Sequence, residues 1–200
     1  VNMENFNVET TSAERMIKYL EDNNIPEDKP IITLIGRLTN WKGQKLLIEA
    51  LHLLENEDFF CVMIGDDQGR KKYSAELRKM IDNYNMTDRF LFIRNVKDIP
   101  AAMMVSDVVL STSIEPEAFG RIAIEGQAMG RVVVASNIGG SVETVIDGVT
   151  GRLYESTSAK ALAEAIEWAL HLSTEEREKI GAAGIKNVKE HFTKQIMCDK

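Results

Sequence analysis

Residues 107–135 read Asp107-Val-Val-Leu-Ser-Thr-Ser-Ile-Glu-Pro-Glu-Ala-Phe-Gly-Arg-Ile-Ala-Ile-Glu-Gly-Gln-Ala-Met-Gly-Arg-Val-Val-Val-Ala135. An apolar run of strand length, 107–111, leads into a polar turn. A helix-like run begins near Phe119-Gly120, and a second apolar strand occupies 131–135. A helix that starts at the carboxyl end of a parallel strand presents free amide N–H groups and the positive end of its dipole. Such a place binds anions, most often phosphate. Glu117 and Glu125 bracket this helix start, and two acids beside a phosphate site suit a ligand that also carries hydroxyls, such as a sugar nucleotide.

Outward from this segment, strand-length apolar runs recur at 31–36, 59–65, 90–94 and 151–154. All but the last are rich in Val, Ile, Leu and Phe without strict alternation, as strands covered on both faces require. Helical patterns fill the gaps. Leu47, Ala50, Leu51 and Leu54 share one face of 44–55, and Leu77, Met80, Ile81 and Tyr84 share one face of 73–84. Ser158 caps a helix over 158–171 that carries Leu162, Ala165, Ile166 and Ala169. Residues 10–24 and 174–191 read as further helices, with a turn at 25–30. Strands alternating with helices predict an α/β fold: a Rossmann-like doubly wound parallel sheet with flanking helices. Residues 1–30 read as a linker and N-terminal helix, and residues 31–200 as one domain.

The composition narrows the function. A chain of 200 residues with 44% hydrophobic residues supports one full-sized core. A net charge of −7 disfavours nucleic-acid partners, so any phosphate must be held by a few placed groups. No run reaches the roughly 20 apolar residues of a membrane span, and the opening Val1-Asn-Met-Glu-Asn-Phe-Asn lacks the pattern of a signal peptide. Cys61 and Cys198 have no metal spacing and read as a buried and a surface thiol in a reducing cytosol. His52, His171 and His191 stand away from strand ends, which disfavours a His-based nucleophile or metal site. Ser111 and Ser113 have no base at suitable spacing. Neither Gly-x-Gly-x-x-Gly nor Gly-x-x-x-x-Gly-Lys-Ser/Thr occurs, against hydride transfer and P-loop hydrolysis.

Ligands of open parallel sheets bind at the carboxyl ends of the strands. After the first strand, Gly36 permits a tight turn, and Arg37 and Lys42 place two cations able to clamp a diphosphate; ordinary surface charge is the competing reading. After the second, Gly65-Asp66-Asp67-Gln68-Gly69 is a glycine-bounded loop or a plain turn. After the third, Arg94-Asn95-Val96 lies where a nucleobase could stack or meet the backbone. Ile122, Ala123, Ile124, Ala128 and Met129 surround Glu125, and a buried carboxylate needs a partner: ribose hydroxyls or a nearby Lys or Arg. Gly139-Gly140-Ser141 with Glu143 forms another strand-end turn.

Taken together, Gly36-Arg37-Leu38 with Lys42-Gly43, Gly65-Asp66, Asp107, Glu117 to Glu125 as Glu-x7-Glu, 130–135, Gly139-Gly140 with Glu143, and 147–151 resemble the C-terminal domain of GT-B glycosyltransferases of family 4, the retaining group 1 family. The resemblance runs from Ile31 to about Phe192. It implies that Arg37 and Lys42 hold the donor diphosphate and that Phe119 and Gly120 offer amides to phosphate. It further implies that Glu117 meets the transferred sugar, Glu125 the ribose, and Val96 the base through its backbone. The family retains configuration and uses no metal, so the ligand expected is a nucleotide-diphosphate sugar with no cofactor. An acceptor glycan or lipid would be bound by an N-terminal Rossmann domain; this chain starts at what looks like the interdomain linker and reads as an excised half, inactive alone. A cytoplasmic location is expected, with peripheral membrane contact open to the full protein.

Four departures from the family pattern stand out: Asp67-Gln68 for the usual Gly-Pro, Arg121 for an aliphatic residue, Gly126-Gln127 for Ala-Met or Ala-Leu, and Arg131 for a frequent Pro. Arg121 reads either as a cation at the nucleotide or as a partner of Glu115. The rival functions are a non-catalytic nucleotide-sugar-binding module and a GT-B-related nucleotide-sugar epimerase; a flavodoxin-like signalling or redox domain is a third.

Overall fold

The structure is a computed structural model describing the backbone of residues 1–198 and the side chains of residues 1–196. The Cys198 thiol expected at the surface lies outside the described residues. Six strands form one parallel sheet: β1 (Ile31–Ile35), β2 (Phe60–Ile64), β3 (Phe90–Ile93), β4 (Val108–Ser111), β5 (Val132–Ser136) and β6 (Arg152–Tyr154). Their order is β3-β2-β1-β4-β5-β6. The winding therefore reverses between β1 and β4, and the crevice above that pair is where such sheets bind ligands. Asp107 fixes the lower end of the pair: its carboxylate accepts from the Ile31 N–H at 2.8 Å.

The helices are α1 (Ala13–Asn23), α2 (Gln44–Leu53), α3 (Lys71–Asn83), α4 (Ile99–Met104), α5 (Arg121–Ala128), α6 (Ser141–Thr144), α7 (Ala159–Leu170), α8 (Thr174–His191) and α9 (Lys194–Cys198). The apolar faces expected of α2, α3 and α7 meet one side of the sheet, with Leu47, Leu51, Leu77, Leu162 and Ile166 packed among Ile32, Leu34 and Met63. On the other side, Tyr19 of α1, Met103 of α4 and Met129 join Ile35, Ile64 and Val109. β1, β4 and β5 are buried along their whole length, whereas β3, at the edge, is only partly covered. The continuous apolar runs are thus those of strands covered on two faces.

One helix start and one short helix on the α1 side differ from the sequence pattern. The helix expected over 10–24 begins at Ala13, because the Ser12 hydroxyl accepts from the Arg15 N–H as its cap and residues Val8–Thr10 make a separate 3-10 turn. The short α4 is absent from the sequence reading; it has less than two turns and places Pro100 in its first turn. Asp98 caps α4 by accepting from the Ala101 N–H at 3.0 Å, and its carboxylate takes both Nε and Nη2 of Arg15 at 2.8 and 2.7 Å, docking α1 on α4. The Arg15 guanidinium is the main cause holding the Asp98 carboxyl below its usual range. That stabilisation is present above the ordinary carboxylate pKa and is lost as pH falls through the depressed folded value. Asp98→Ala is expected to cost about 1 to 2 kcal/mol at neutral pH, cap and half-exposed pair together. In urea unfolding the gap to the unsubstituted protein should narrow in acid; a constant gap would show that the ion pair contributes nothing.

Candidate functional site at the strand reversal

The loop after β1 is tied to the loop after β4 by backbone contacts. The Ile114 N–H donates to the Trp41 carbonyl and the Thr112 hydroxyl to the Lys42 carbonyl, both at 2.8 Å. Gly43 sits at φ +74°, and a Cβ there would lie 1.9 Å from the Thr112 carbonyl oxygen, so no other residue permits this approach. Gly43→Ala is expected to destabilise the fold by about 3 kcal/mol or more, through strain and displacement of the α2 start; an unchanged urea midpoint would refute the contact.

This stitching brings Lys42 to Glu117. The Lys42 ammonium donates to Glu117 Oε1 at 2.7 Å, with the two side chains 14% and 23% exposed. The Ser113 hydroxyl donates to the same oxygen. Glu117 Oε2 has no protein donor among the described residues. Trp41 lies beneath both cations, its ring centroid 4.5 Å from Lys42 Nζ and 5.8 Å from Arg37 Cζ. Arg37 is exposed and makes no ion pair among the described residues. The Lys42 stem runs over Gly36, where an added Cβ would sit in ordinary contact with its Cδ at 3.5 Å.

The start of α5 stands next to this pair. Gly120 is its cap at φ +62°, and the N–H groups of Phe119, Gly120, Arg121 and Ile122 have no protein acceptor among the described residues. The turn at Gly139-Gly140 supports it from β5. The Gly140 N–H donates to the Glu117 carbonyl at 2.7 Å, and a Cβ on Gly140 would meet the Phe119 backbone at 2.6 Å. Just over one turn into α5, Glu125 is only 5% exposed. Its partner is Arg121, with Nη2 3.0 Å from Oε1. Burial is the main cause raising the Glu125 pKa, and Arg121 works against it. Arg121 therefore pairs with Glu125, not with Glu115.

The chain that folds into this parallel sheet matches a known set of proteins. A family model described as glycosyl transferases group 1 matches residues 16–187. The chain belongs to that family. Over 210 aligned positions, covering all of it, the chain is 27% identical to the capsular polysaccharide biosynthesis glycosyltransferase CapM of Staphylococcus aureus. The solved glycosyltransferase of Rickettsia africae superposes with a TM-score of 0.96 at 37% identity, over 100% of this chain and 53% of that one. Anabaena HepE, solved with UDP, superposes at 0.88 with 27% identity, over 100% of this chain and 54% of that one. The chain spans about half the length of the curated relatives it matches, 50% in the case of CapM. Its sheet and helices are one Rossmann-like half of a GT-B glycosyltransferase fold.

In this group 1 glycosyltransferase chain the packing gives each of the unexpected residues a place. At Gly126 an added Cβ would meet Val133 Cγ2 at 2.9 Å, so α5 lies close against the sheet. Gln127 is fully buried, donating to the Thr144 carbonyl at 2.8 Å and accepting from Asn187 of α8 at 2.9 Å. Arg131 donates to the Met129 and Met104 carbonyls. Asp67, 8% exposed, organises the β2 loop: it accepts from the Gly69 N–H, the Ser74 hydroxyl and Arg94. Asp66 accepts from the Gln68 N–H and from Arg94, which together hold its carboxyl below the usual range, the N–H contributing most. Gly65 is required where a Cβ would lie 1.9 Å from the Gly36 carbonyl oxygen. The Asp66 carbonyl accepts from the Leu38 N–H at 3.0 Å, linking this loop to the one that carries Arg37.

The structure thus gathers Gly36, Arg37, Lys42, Glu117, Phe119 and Gly120 at the reversal, with Gly65 and Asp66 one strand away. Glu125 lies apart, beside Arg121 and the amino group of Val1, Val96 lies in a groove beside α1, and neither hydrogen-bonds to the Lys42–Glu117 pair. Val96 is half-buried in a groove of about 420 Å³ with Tyr19 and Asn95, its N–H and carbonyl unpaired among the described residues. Trp41 is the site neighbour that the sequence pattern did not single out, and Ser113 and Asp67, named there, had no partner assigned.

Proposed function

We propose that this chain holds the nucleotide-diphosphate sugar in a retaining glycosyl transfer to a glycan or lipid acceptor. One observation carries the reading: Lys42 and Glu117 meet at the strand reversal beside the unpaired amides that open α5. Arg37 and Lys42 take the diphosphate and offset the negative charge that grows on it as the glycosidic bond breaks. The Phe119 and Gly120 amides receive phosphate oxygens. Glu117, with one oxygen committed to Lys42 and Ser113, has the other for hydroxyls of the transferred sugar. Glu125 takes the ribose hydroxyls, and the free N–H and carbonyl of Val96 meet the base. Gly36, Gly65 and Asp66 shape the loops the phosphates approach. Two cations at the diphosphate let the account run without a metal ion.

The UDP complex of the Anabaena relative supports a nucleotide diphosphate as the ligand class. The acceptor would be read by residues beyond this chain, and the reaction is placed in the cytoplasm. A thermal-shift panel of UDP, GDP, ADP and their sugar conjugates tests the reading. One base series should stabilise the chain by RT ln(1 + [L]/Kd), and a flat response to all three series would overturn it.

A further inference from the structure

A groove of about 620 Å³ opens beside the Lys42 loop, between the Asn40–Lys42 turn and the first turns of α3. Small-ligand sites run from about 300 to 1,000 Å³. Trp41 and Tyr73 give it flat apolar surface, Thr39 lines it, and Arg70, Lys72 and Glu76 stand around it.

Its charge runs against that of the whole chain, which is −7. Neither Arg70 nor Lys72 makes an ion pair among the described residues; Arg70 donates only to the Asp67 carbonyl and the Gln68 side chain. The carboxylate in the lining, Glu76, is taken by Lys45 at 2.9 Å. Two cations therefore face the groove without an ion-pair partner of their own among the described residues, the nearby Glu76 being held chiefly by Lys45. The polar groups beneath it lead to the transfer site. The Tyr73 hydroxyl donates to Gln44 Oε1 at 3.1 Å, and Gln44, fully buried, donates from Nε2 to the Arg37 carbonyl at 2.9 Å. The hydroxyl of Thr39, a residue 6% exposed, has no partner among the described residues. Trp41 belongs to both places, since its ring also lies 4.5 Å from Lys42 Nζ.

The geometry points to a subsite for an anionic sugar unit, a hexose bearing phosphate or carboxylate, next to the cations that hold the donor. Trp41 and Tyr73 cover the apolar face of the ring, and Arg70 and Lys72 take the anion by charge-assisted hydrogen bonds. Its position beside the Lys42 loop makes that sugar a neighbouring unit of the acceptor glycan, whose reacting end residues beyond this chain would hold. This last step rests on the glycosyl-transfer reading; the binding does not.

The chain has two tryptophans, so Trp168→Phe leaves Trp41 as the single reporter. Glucose 6-phosphate is titrated into this protein with saturating UDP present, with glucuronate, glucose and inorganic phosphate as separate arms. A saturable change in Trp41 emission is expected with either anionic sugar, and binding roughly tenfold weaker with glucose, the worth of one charged hydrogen bond. Arg70→Glu/Lys72→Glu, at exposed positions that leave the fold intact, should weaken the anionic sugars by about tenfold or more. No saturable response, a response that inorganic phosphate alone reproduces, or one that survives charge reversal overturns the subsite. Calorimetry on the unsubstituted chain repeats the reading should Trp168→Phe fail to fold. A chain that binds the sugar phosphate but never UDP would sink the glycosyl-transfer reading and leave the groove standing.

Discussion

Lys42→Ala is expected to weaken nucleotide-diphosphate binding by about 100-fold, near 3 kcal/mol. Two effects add. The charge-assisted contact to phosphate disappears, and the Glu117 carboxylate is left with only Ser113 as donor, turned toward an incoming anion. The second effect separates this account from loss of a surface lysine. Glu117→Gln in the Lys42→Ala background removes the freed charge and should recover part of the lost affinity. In the presence of Lys42 the same substitution removes a useful acceptor and should not improve binding. Calorimetric titration of UDP or GDP into the four proteins of this cycle reads the coupling directly. Independent, additive losses would show that the pair does not act as a unit.

Glu125→Gln is expected to move stability and binding in opposite directions. Burial raises the Glu125 pKa, so the ionised form present at neutral pH is disfavoured in the folded chain. The penalty grows as pH rises from the ordinary carboxylate value through the raised folded value and is constant above it. Glutamine removes it: the variant should melt higher at pH 7 and lose that advantage as pH falls below the carboxylate range. Exposed Arg121 loses a partner at little cost, its side chain being 79% exposed. Ribose hydroxyls lose a charged acceptor, and nucleotide affinity should drop by about tenfold or more. A purely structural Glu125 would leave nucleotide affinity unchanged, and a variant that melts lower at pH 7 would place its worth in the Arg121 pair.

Why could the strands and the helix start be read in advance when several contacts could not? Two-face burial writes itself into a strand as an unbroken apolar run, and β1, β2, β4 and β5 carry such runs. Lys42 and Glu117 were each nameable from position after a strand. Their 2.7 Å contact was not, because it depends on Gly43 allowing the backbone against Thr112, 69 residues away in sequence. The link from Arg94 to Asp67 crosses neighbouring strands and follows from register, which periodicity leaves open. Ser113 was weighed as a nucleophile lacking a base, and its partner proved to be the acceptor Glu117. Arg121 is different. Glu125 stands four residues on, the spacing at which helical side chains meet, so that pair was open to reading and Glu115 was the wrong choice. Gly126 shows the limit from the other side: its close approach to Val133 is a property of helix depth, invisible in one dimension.

The central claim is that a nucleoside diphosphate is held at the β1/β4 reversal by Lys42 and the opening amides of α5. Calorimetric titration of UDP, GDP and ADP into the unsubstituted chain and into Lys42→Ala tests it most directly. The account predicts saturable one-site binding of at least one nucleotide to the first and about 100-fold weaker binding to the second. Equal affinity in the two proteins, or no binding of any nucleotide to the unsubstituted chain, would contradict it.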